Sequence, residues 1–256
     1  MIELYSDLRT NKKYDLNTQV LAITLGQEMI DICTKTHSKD EAEKSLAISH
    51  YISFDYIWTT LELLEHFGLN KAGDILDAGS GRGVFQFWLA KRFDMCKIIS
   101  FDRSVEHSND WISARKEKLH LGNIDMKSGN LKSTEFAPCS FDAITSTSSL
   151  EHNEPLEIQM IFNELSRIIK KDGRLIFTAV AGLGQRVWRT GISTDPVLTI
   201  YSIDWWIETV KNSGFKLLKD VNISEDDVKN SIEDFNKDHP IYANRYVPFG
   251  MHLIKG

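Results

Sequence analysis

"DILDAGSGRGVF", residues 74–85, decides the reading of the fold. A short apolar run, Ile75-Leu76-Asp77-Ala78, passes directly into Gly79-Ser80-Gly81-Arg82-Gly83, and Val84-Phe85 open a second apolar segment. The first run reads as a buried strand bounded by turn residues, and "VFQFWLAKRF" (84–93) reads as a helix. Strand, glycine turn, helix brings a ligand close to backbone amides at a helix N-terminus. Glycine permits the tight turn and removes the Cβ that would strike the ligand. The spacing is D-x-G-x-G-x-G. It is not the dinucleotide fingerprint G-x-G-x-x-G, because Val84 stands where the third glycine of that fingerprint falls. A carboxylate at Asp77 would repel a pyrophosphate, whereas it can accept a hydrogen bond from an ammonium group, directly or through water.

Outward from this stretch the pattern divides near Asn70. Upstream, "YIWTTLELLEHF" (56–67) puts Ile57, Leu61, Leu64 and Phe67 on one helical face. Residues 1–70 are therefore expected to form an N-terminal helical cap or lid. Downstream, strands and helices alternate: strand "KIISFD" (97–102), a helix over "VEHSNDWISARKEKLH" with Ser104 as N-cap, and a weak strand "IDMKSG" (124–129). Strand "FDAITS" (141–146) follows, then a helix over 154–171 with Pro155 at its start and Gly173 just past its end. Strand "RLIFTAV" (174–180), helix "IDWWIETVKNSG" (203–214) and strand "FKLLKDV" (215–221) complete the series. The closing "YVPFGMHLIKG" (246–256) reads as a last strand, with Pro248 marking an irregular start or an edge. Such alternation predicts an α/β fold, a doubly wound and mostly parallel sheet of seven strands spanning 71–256.

Composition removes several classes. The 256 residues are enough for a substantial core, and the net charge of −6 leaves no basic footprint for nucleic acid. The three cysteines, Cys33, Cys96 and Cys139, form no C-x-x-C pair, so a cysteine metal site or disulfide framework is not expected and a reducing, cytoplasmic setting is. No signal-like apolar core opens the chain, and no run is long enough for membrane insertion.

The glycine pattern resembles motif I of the class I S-adenosylmethionine-dependent methyltransferases, and further motifs agree in order and spacing. The resemblance covers about residues 70–220. It implies a Rossmann-like methyltransferase fold and S-adenosyl-L-methionine as cofactor. Asp102, ending "IISFD", matches the family's acidic residue that holds the ribose hydroxyls, with Arg103 beside it. Gly129-Asn130-Leu131 matches the step whose side chain reaches the adenine amino group. Phe141 to Ser146, followed by Leu150-Glu151-His152, matches the fourth strand and its loop. "IIKKDGRLIFT" (168–178) departs from the usual turn before the fifth strand only at Asp172 and Arg174. The implied cofactor contacts are Asp77, Ala78, Gly79, Ser80, Gly81, Asp102, Arg103, Gly129, Asn130, Leu131, Ser146 and Thr147.

Alternative roles remain open for several of these positions. Asp77 can organise the loop, Asn130 can be a turn residue, and Asp142 reads as structural. Trp88, Trp111, Trp205 and Trp206 lie in helical patterns and read as core. Where metal-dependent relatives carry acidic residues at the strand ends, this chain has Thr145-Ser146-Thr147 and Thr178-Ala179-Val180, so no metal is expected. Nor does Ser146 to Ser149 hold the proline motif of DNA amine methyltransferases. A small-molecule, carbohydrate-like or lipid-like acceptor is left, methylated on oxygen or nitrogen. The long connection 181–201 is the expected substrate-side insertion, with Arg186, Trp188 and Arg189 as candidate acceptor contacts. His152 is the candidate general base, Glu151 its fallback or its orienting partner; the alternative is that His152 only orders its loop. Two other functions stay open: a nicotinamide oxidoreductase, and a cofactor-binding scaffold without catalysis.

Overall fold

The computed structural model describes residues 2–4, 31–32, 35, 73–81, 85–103, 109–189, 197–218, 223–238 and 246–256. Strands β1 (Ile2–Leu4), β2 (Asp74–Ala78), β3 (Lys97–Asp102), β4 (Ile124–Ser128), β5 (Phe141–Thr147), β6 (Ile169–Ala181), β9 (Phe215–Leu217) and β10 (Val247–Lys255) form one sheet. Its order is β1-β10-β6-β5-β2-β3-β4, with β9 also on β10. β1 pairs with residues 249–251 of β10 and β9 with residues 253–255, both on the flank opposite β6. The sheet is thus seven strands wide, as the alternation predicts. β2, β3, β4, β5 and β6 run parallel, and β10 is antiparallel to β6.

Side-chain alternation along these strands divides the core in two. Leu76, Ile99, Ile144 and Phe177 face a cluster built with helices α3 (Pro155–Ile168), α4 (Ile203–Asn212) and α5 (Glu225–Asp238). Ile75, Ile98, Ala143 and Ile176 face the other side, against Phe87, Trp88 and Leu89 of α1 (Phe85–Arg92). Helix α2 (Asn109–Leu119) stands between β3 and β4 in the chain. With apolar side chains on both faces, the central strands read as near-continuous hydrophobic runs. Trp88 and Trp206 are fully buried, Trp205 packs against the larger cluster, and the side chain of Trp111 lies outside the described residues.

Three expectations need correction. The helix expected over 154–171 ends at Ile168, and Gly173 lies inside β6 instead of capping the helix. Cys139 N and Ser140 N donate to the carbonyls of Arg167 and Ile168, which closes the helix early. The Asp142 carboxylate then accepts from Lys170 Nζ at 2.8 Å and from Asp74 N at 2.9 Å. A Cβ on Gly173 would lie 2.7 Å from Ile169 Cγ1 and 2.8 Å from Lys170 O, so the bulge there requires glycine. Second, β10 is not an edge: β6 lies on one flank, β1 and β9 on the other. Pro248 pairs with Val180 one residue before the stretch that β1 covers, so its missing N–H breaks no ladder to β1. Third, residues 2–4 of the expected helical cap form a strand of the main sheet. The rest of that expectation, including 56–67, lies almost wholly outside the described residues, as do Ser104, Arg82 and Gly83.

Candidate functional site

β2 and β5 are neighbours, and the chain leaving the C-terminal end of β2 runs to β3 on one side while that leaving β5 runs to β6 on the other, the position where doubly wound sheets hold ligands. Backbone bonds shape the loop there. Gly79 N and Ser80 N both donate to Phe101 O, at 2.7 and 3.2 Å, and Gly81 N donates to Asp102 Oδ2 at 2.9 Å. Ser100 Oγ donates to Ser80 Oγ at 2.6 Å. The loop after β2 is therefore tied to the end of β3, and Asp102 shares in that tie. Gly79 and Gly81 have φ of +74° and +51°, the left-handed region that favours glycine. A Cβ on Gly79 would lie 1.8 Å from Ser149 Oγ, whereas one on Gly81 would meet nothing within 4 Å among the described residues. Gly79 is closed against the loop after β5.

Asp77 is buried behind this loop and accepts from Thr145 Oγ1 at 2.9 Å. Burial pushes its carboxyl up from 3.8 to about 7; the Thr145 bond opposes the rise and the nearby charge of Asp102 adds to it. A cation placed nearby favours the carboxylate, which fits the ammonium end of S-adenosylmethionine and does not fit a phosphate. The Asp102 carboxylate lies at the same end of the sheet, bonded to Gly81 N. These residues fit the cofactor that the motifs imply.

The third connection completes the floor. Gly129 N donates to Asp102 O at 3.1 Å, and a Cβ on Gly129 would lie 2.7 Å from Phe101 Cζ, so the glycine lets the chain cross that ring. Asn130 Oδ1 accepts from Lys132 N at 3.0 Å, an Asx turn. Leu131 Cδ1 reaches within 3.8 Å of the Cβ position of Gly79. Lys132 pairs with Glu157 in the first turn of α3. Arg103 is exposed. Ser146 spends its hydroxyl on Ala78 O at 2.8 Å, joining β5 to β2, and Thr147 is half-buried beside it.

After β5 the chain turns sharply. Ser148 has φ +46° and its N–H donates to both the carbonyl and the hydroxyl of Thr178 on β6, at 3.2 and 3.0 Å. A 3-10 turn, Leu150–His152, follows, with Leu150 and Glu151 buried and His152 half-buried. The His152 ring Nδ1 lies 3.2 Å from Val197 O. A carbonyl only accepts, so this bond places the proton of the neutral ring on Nδ1 and leaves the lone pair on Nε2.

Val197 belongs to the insertion, which forms a β-hairpin: β7 (Arg186–Arg189) pairs antiparallel with β8 (Val197–Ile200). The hairpin is anchored at its base by Gly182 N to Tyr201 O, 3.0 Å, and along β8 by Thr199 Oγ1 to Asn153 O, 2.7 Å. Trp188 is half-buried and packs on the larger core cluster, while Arg186 is exposed. Strand alternation turns residues 186 and 188 to one face. The side chain of Arg189 lies outside the described residues.

The structure therefore brings Asp77, Gly79, Ser80, Gly81, Asp102, Gly129 and Leu131 together, with the Ser149–His152 turn against Gly79. Sequence reading missed Thr145, Ser149, Val197 and Thr199. Thr145 and Ser149 lie within the matched fourth-strand region but carry no pattern of their own, and the two hairpin residues have no local signal. Among the described residues, no cluster of three His, Cys, Asp or Glu side chains gathers as metal ligands do, and no helix is long and apolar enough to cross a membrane.

A family model described as "Methyltransferase domain" matches residues 75–173. No curated protein sequence matches the chain. Among solved structures, the [4+2]-cyclase SpnF is 18% identical with a TM-score of 0.59, over 79% of this chain and 81% of that one. A putative sarcosine dimethylglycine methyltransferase from Galdieria sulphuraria is 18% identical at 0.57, over 78% and 85%. Geranyl diphosphate C-methyltransferase from Streptomyces coelicolor A3(2) is 17% identical at 0.59, over 77% and 75%.

Proposed function

We propose that this chain, whose residues 75–173 match a model described as "Methyltransferase domain", is a class I S-adenosylmethionine-dependent methyltransferase that methylates an oxygen or nitrogen of a small-molecule, carbohydrate-like or lipid-like acceptor without a metal ion. The observation that carries the reading is the conjunction at the C-terminal ends of the central strands: a glycine loop pinned to Asp102, buried Asp77 behind it, and the turn before His152 packed through Ser149 against Gly79. The cofactor supplies an electrophilic methyl group on a sulfonium. Asp77 holds the cationic end, Asp102 the ribose, and Gly129, Asn130 and Leu131 the face of the adenine. His152 would accept the acceptor's proton at Nε2 while the acceptor takes the methyl carbon, whose bond to sulfur breaks with the electron pair left on the departing thioether. The hairpin β7–β8, joined to the His152 turn by two bonds, helps exclude water from the acceptor. Most of the rate comes from aligning nucleophile, carbon and sulfur. Metal independence is supported by the hydroxyl side chains Thr145, Ser146, Thr147 and Thr178 at the ends of β5 and within β6.

The structurally similar cyclase shows that this fold also serves in proteins named for other chemistry, so the assay must detect methyl transfer itself. Calorimetry with S-adenosyl-L-methionine, S-adenosyl-L-homocysteine and NAD comes first, followed by transfer of labelled methyl to panels of amines, alcohols, sugars and lipid precursors, with and without EDTA. The first two ligands are expected to bind, NAD is not, and turnover is expected to survive EDTA. NAD binding without S-adenosyl binding overturns the cofactor assignment; loss in EDTA restored by magnesium overturns metal independence.

A further inference from the structure

β8 reaches the His152 turn at two consecutive residues. Val197 O meets His152 Nδ1 at 3.2 Å, and two residues along the same strand Thr199 Oγ1 donates to Asn153 O at 2.7 Å. Thr199 is fully buried, and its hydroxyl bonds outward, to a carbonyl 46 positions away in the chain. The turn itself is cinched: His152 N donates to Ser149 O, and Asn153 Nδ2 donates to Leu150 O at 3.1 Å. The loop after β5 is thus bonded to the hairpin at two points, one of them the hydroxyl of Thr199.

We infer that Thr199 is a positioning residue for His152: by fixing Asn153 against β8 it keeps the Val197 carbonyl on Nδ1, which holds the imidazole in the tautomer that presents the Nε2 lone pair. This rests on the reading of His152 as the base. The insertion then acts on the chemical step as well as on the acceptor, although none of its side chains need touch the transferred methyl. Without the Thr199 donor, β8 is released from Asn153 by one bond, a part-buried carbonyl loses its partner, and the ring loses the constraint on its tautomer.

The test is nitrogen NMR of histidine-15N-labelled full-length protein above pH 8, with the His152 signals assigned by their loss in H152Q. Wild type is expected to show His152 mainly as the Nδ1–H tautomer. T199V is expected to move it toward the Nε2–H form that unconstrained imidazoles favour, while T199S, which retains the donor, keeps the wild-type signals. T199A removes the same donor without adding a methyl group, and so repeats the test independently of how valine packs. Calorimetry with S-adenosyl-L-homocysteine, expected unchanged in the Thr199 variants, separates a tautomer change from damage to the sheet. A wild-type ring in the Nε2–H form, or unchanged tautomers in T199V and T199A, overturns the inference. Near-normal turnover in H152A sinks the assignment of the base instead and leaves the tautomer result standing.

Discussion

Replacing Asp77 with Asn should make the ligand-free protein more stable and a poorer binder of cofactor. Asp77 is buried, and its carboxyl is pushed up from 3.8 to about 7 chiefly by that burial. Because the folded chain holds this proton more tightly than the unfolded chain, the stability it contributes is fully present below pH 3.8 and is lost as pH rises toward about 7. At about 1.4 kcal/mol per pH unit, the cost of the buried charge at alkaline pH is roughly 4 kcal/mol, and roughly 2–3 kcal/mol of it develops between pH 5 and pH 8. Asn keeps an oxygen for the Thr145 hydroxyl but carries no charge. Denaturant unfolding of wild type and Asp77→Asn should therefore diverge with rising pH, the variant gaining over that window, because other titrating groups cancel in the difference. S-adenosyl-L-homocysteine binding should fall in the same variant at pH 8. Stability curves that stay parallel from pH 5 to pH 8 would refute the argument that Asp77 is a charge held under desolvation for a cationic ligand.

Gly79→Ala meets both a positive φ and a Cβ position 1.8 Å from Ser149 Oγ. It should cost about 2–4 kcal/mol in unfolding experiments, and adding Ser149→Gly should recover only the steric share; an undisturbed single variant contradicts the packing. Asp102→Ala should weaken S-adenosyl-L-homocysteine binding by about 1–3 kcal/mol, read by calorimetry, through loss of a charged acceptor and of the Gly81 tie. Once an acceptor is found, His152→Ala should cut the rate by about 10²–10⁴-fold with cofactor affinity little changed; near-normal turnover would reduce His152 to loop structure. Exchanging residues 182–200 for a short linker should spare cofactor affinity and abolish turnover, whereas equal loss of both makes the hairpin purely structural.

What the chain declares locally is the alternation and the loop chemistry. β3 falls on "KIISFD" residue for residue, and α1 lies within the helical pattern of 84–93, because hydrophobic period and glycine placement are properties of neighbours in sequence. The D-x-G-x-G spacing likewise places Asp77, Gly79 and Gly81 at one strand end before any tertiary contact exists. The end of α3 departs from its sequence pattern for a tertiary reason: "IIKKDG" continues a helical pattern, but the segment before β5 takes the last helix carbonyls and Asp142 draws Lys170 into a strand. Residues 2–4 carry no pattern of their own and become a strand only because β10 offers them an unpaired flank. The hairpin was legible as a long connection but not as a pair of strands, since its pairing is specified by closure between residues 186–189 and 197–200. The bonds that give Asp77 and His152 their character, Thr145 to Asp77 across 68 positions and Val197 to His152 across 45, join segments that share no period and no motif. Only packing of the sheet sets those distances, because a side-chain bond depends on where two backbones finally lie, and sequence spacing is silent on that.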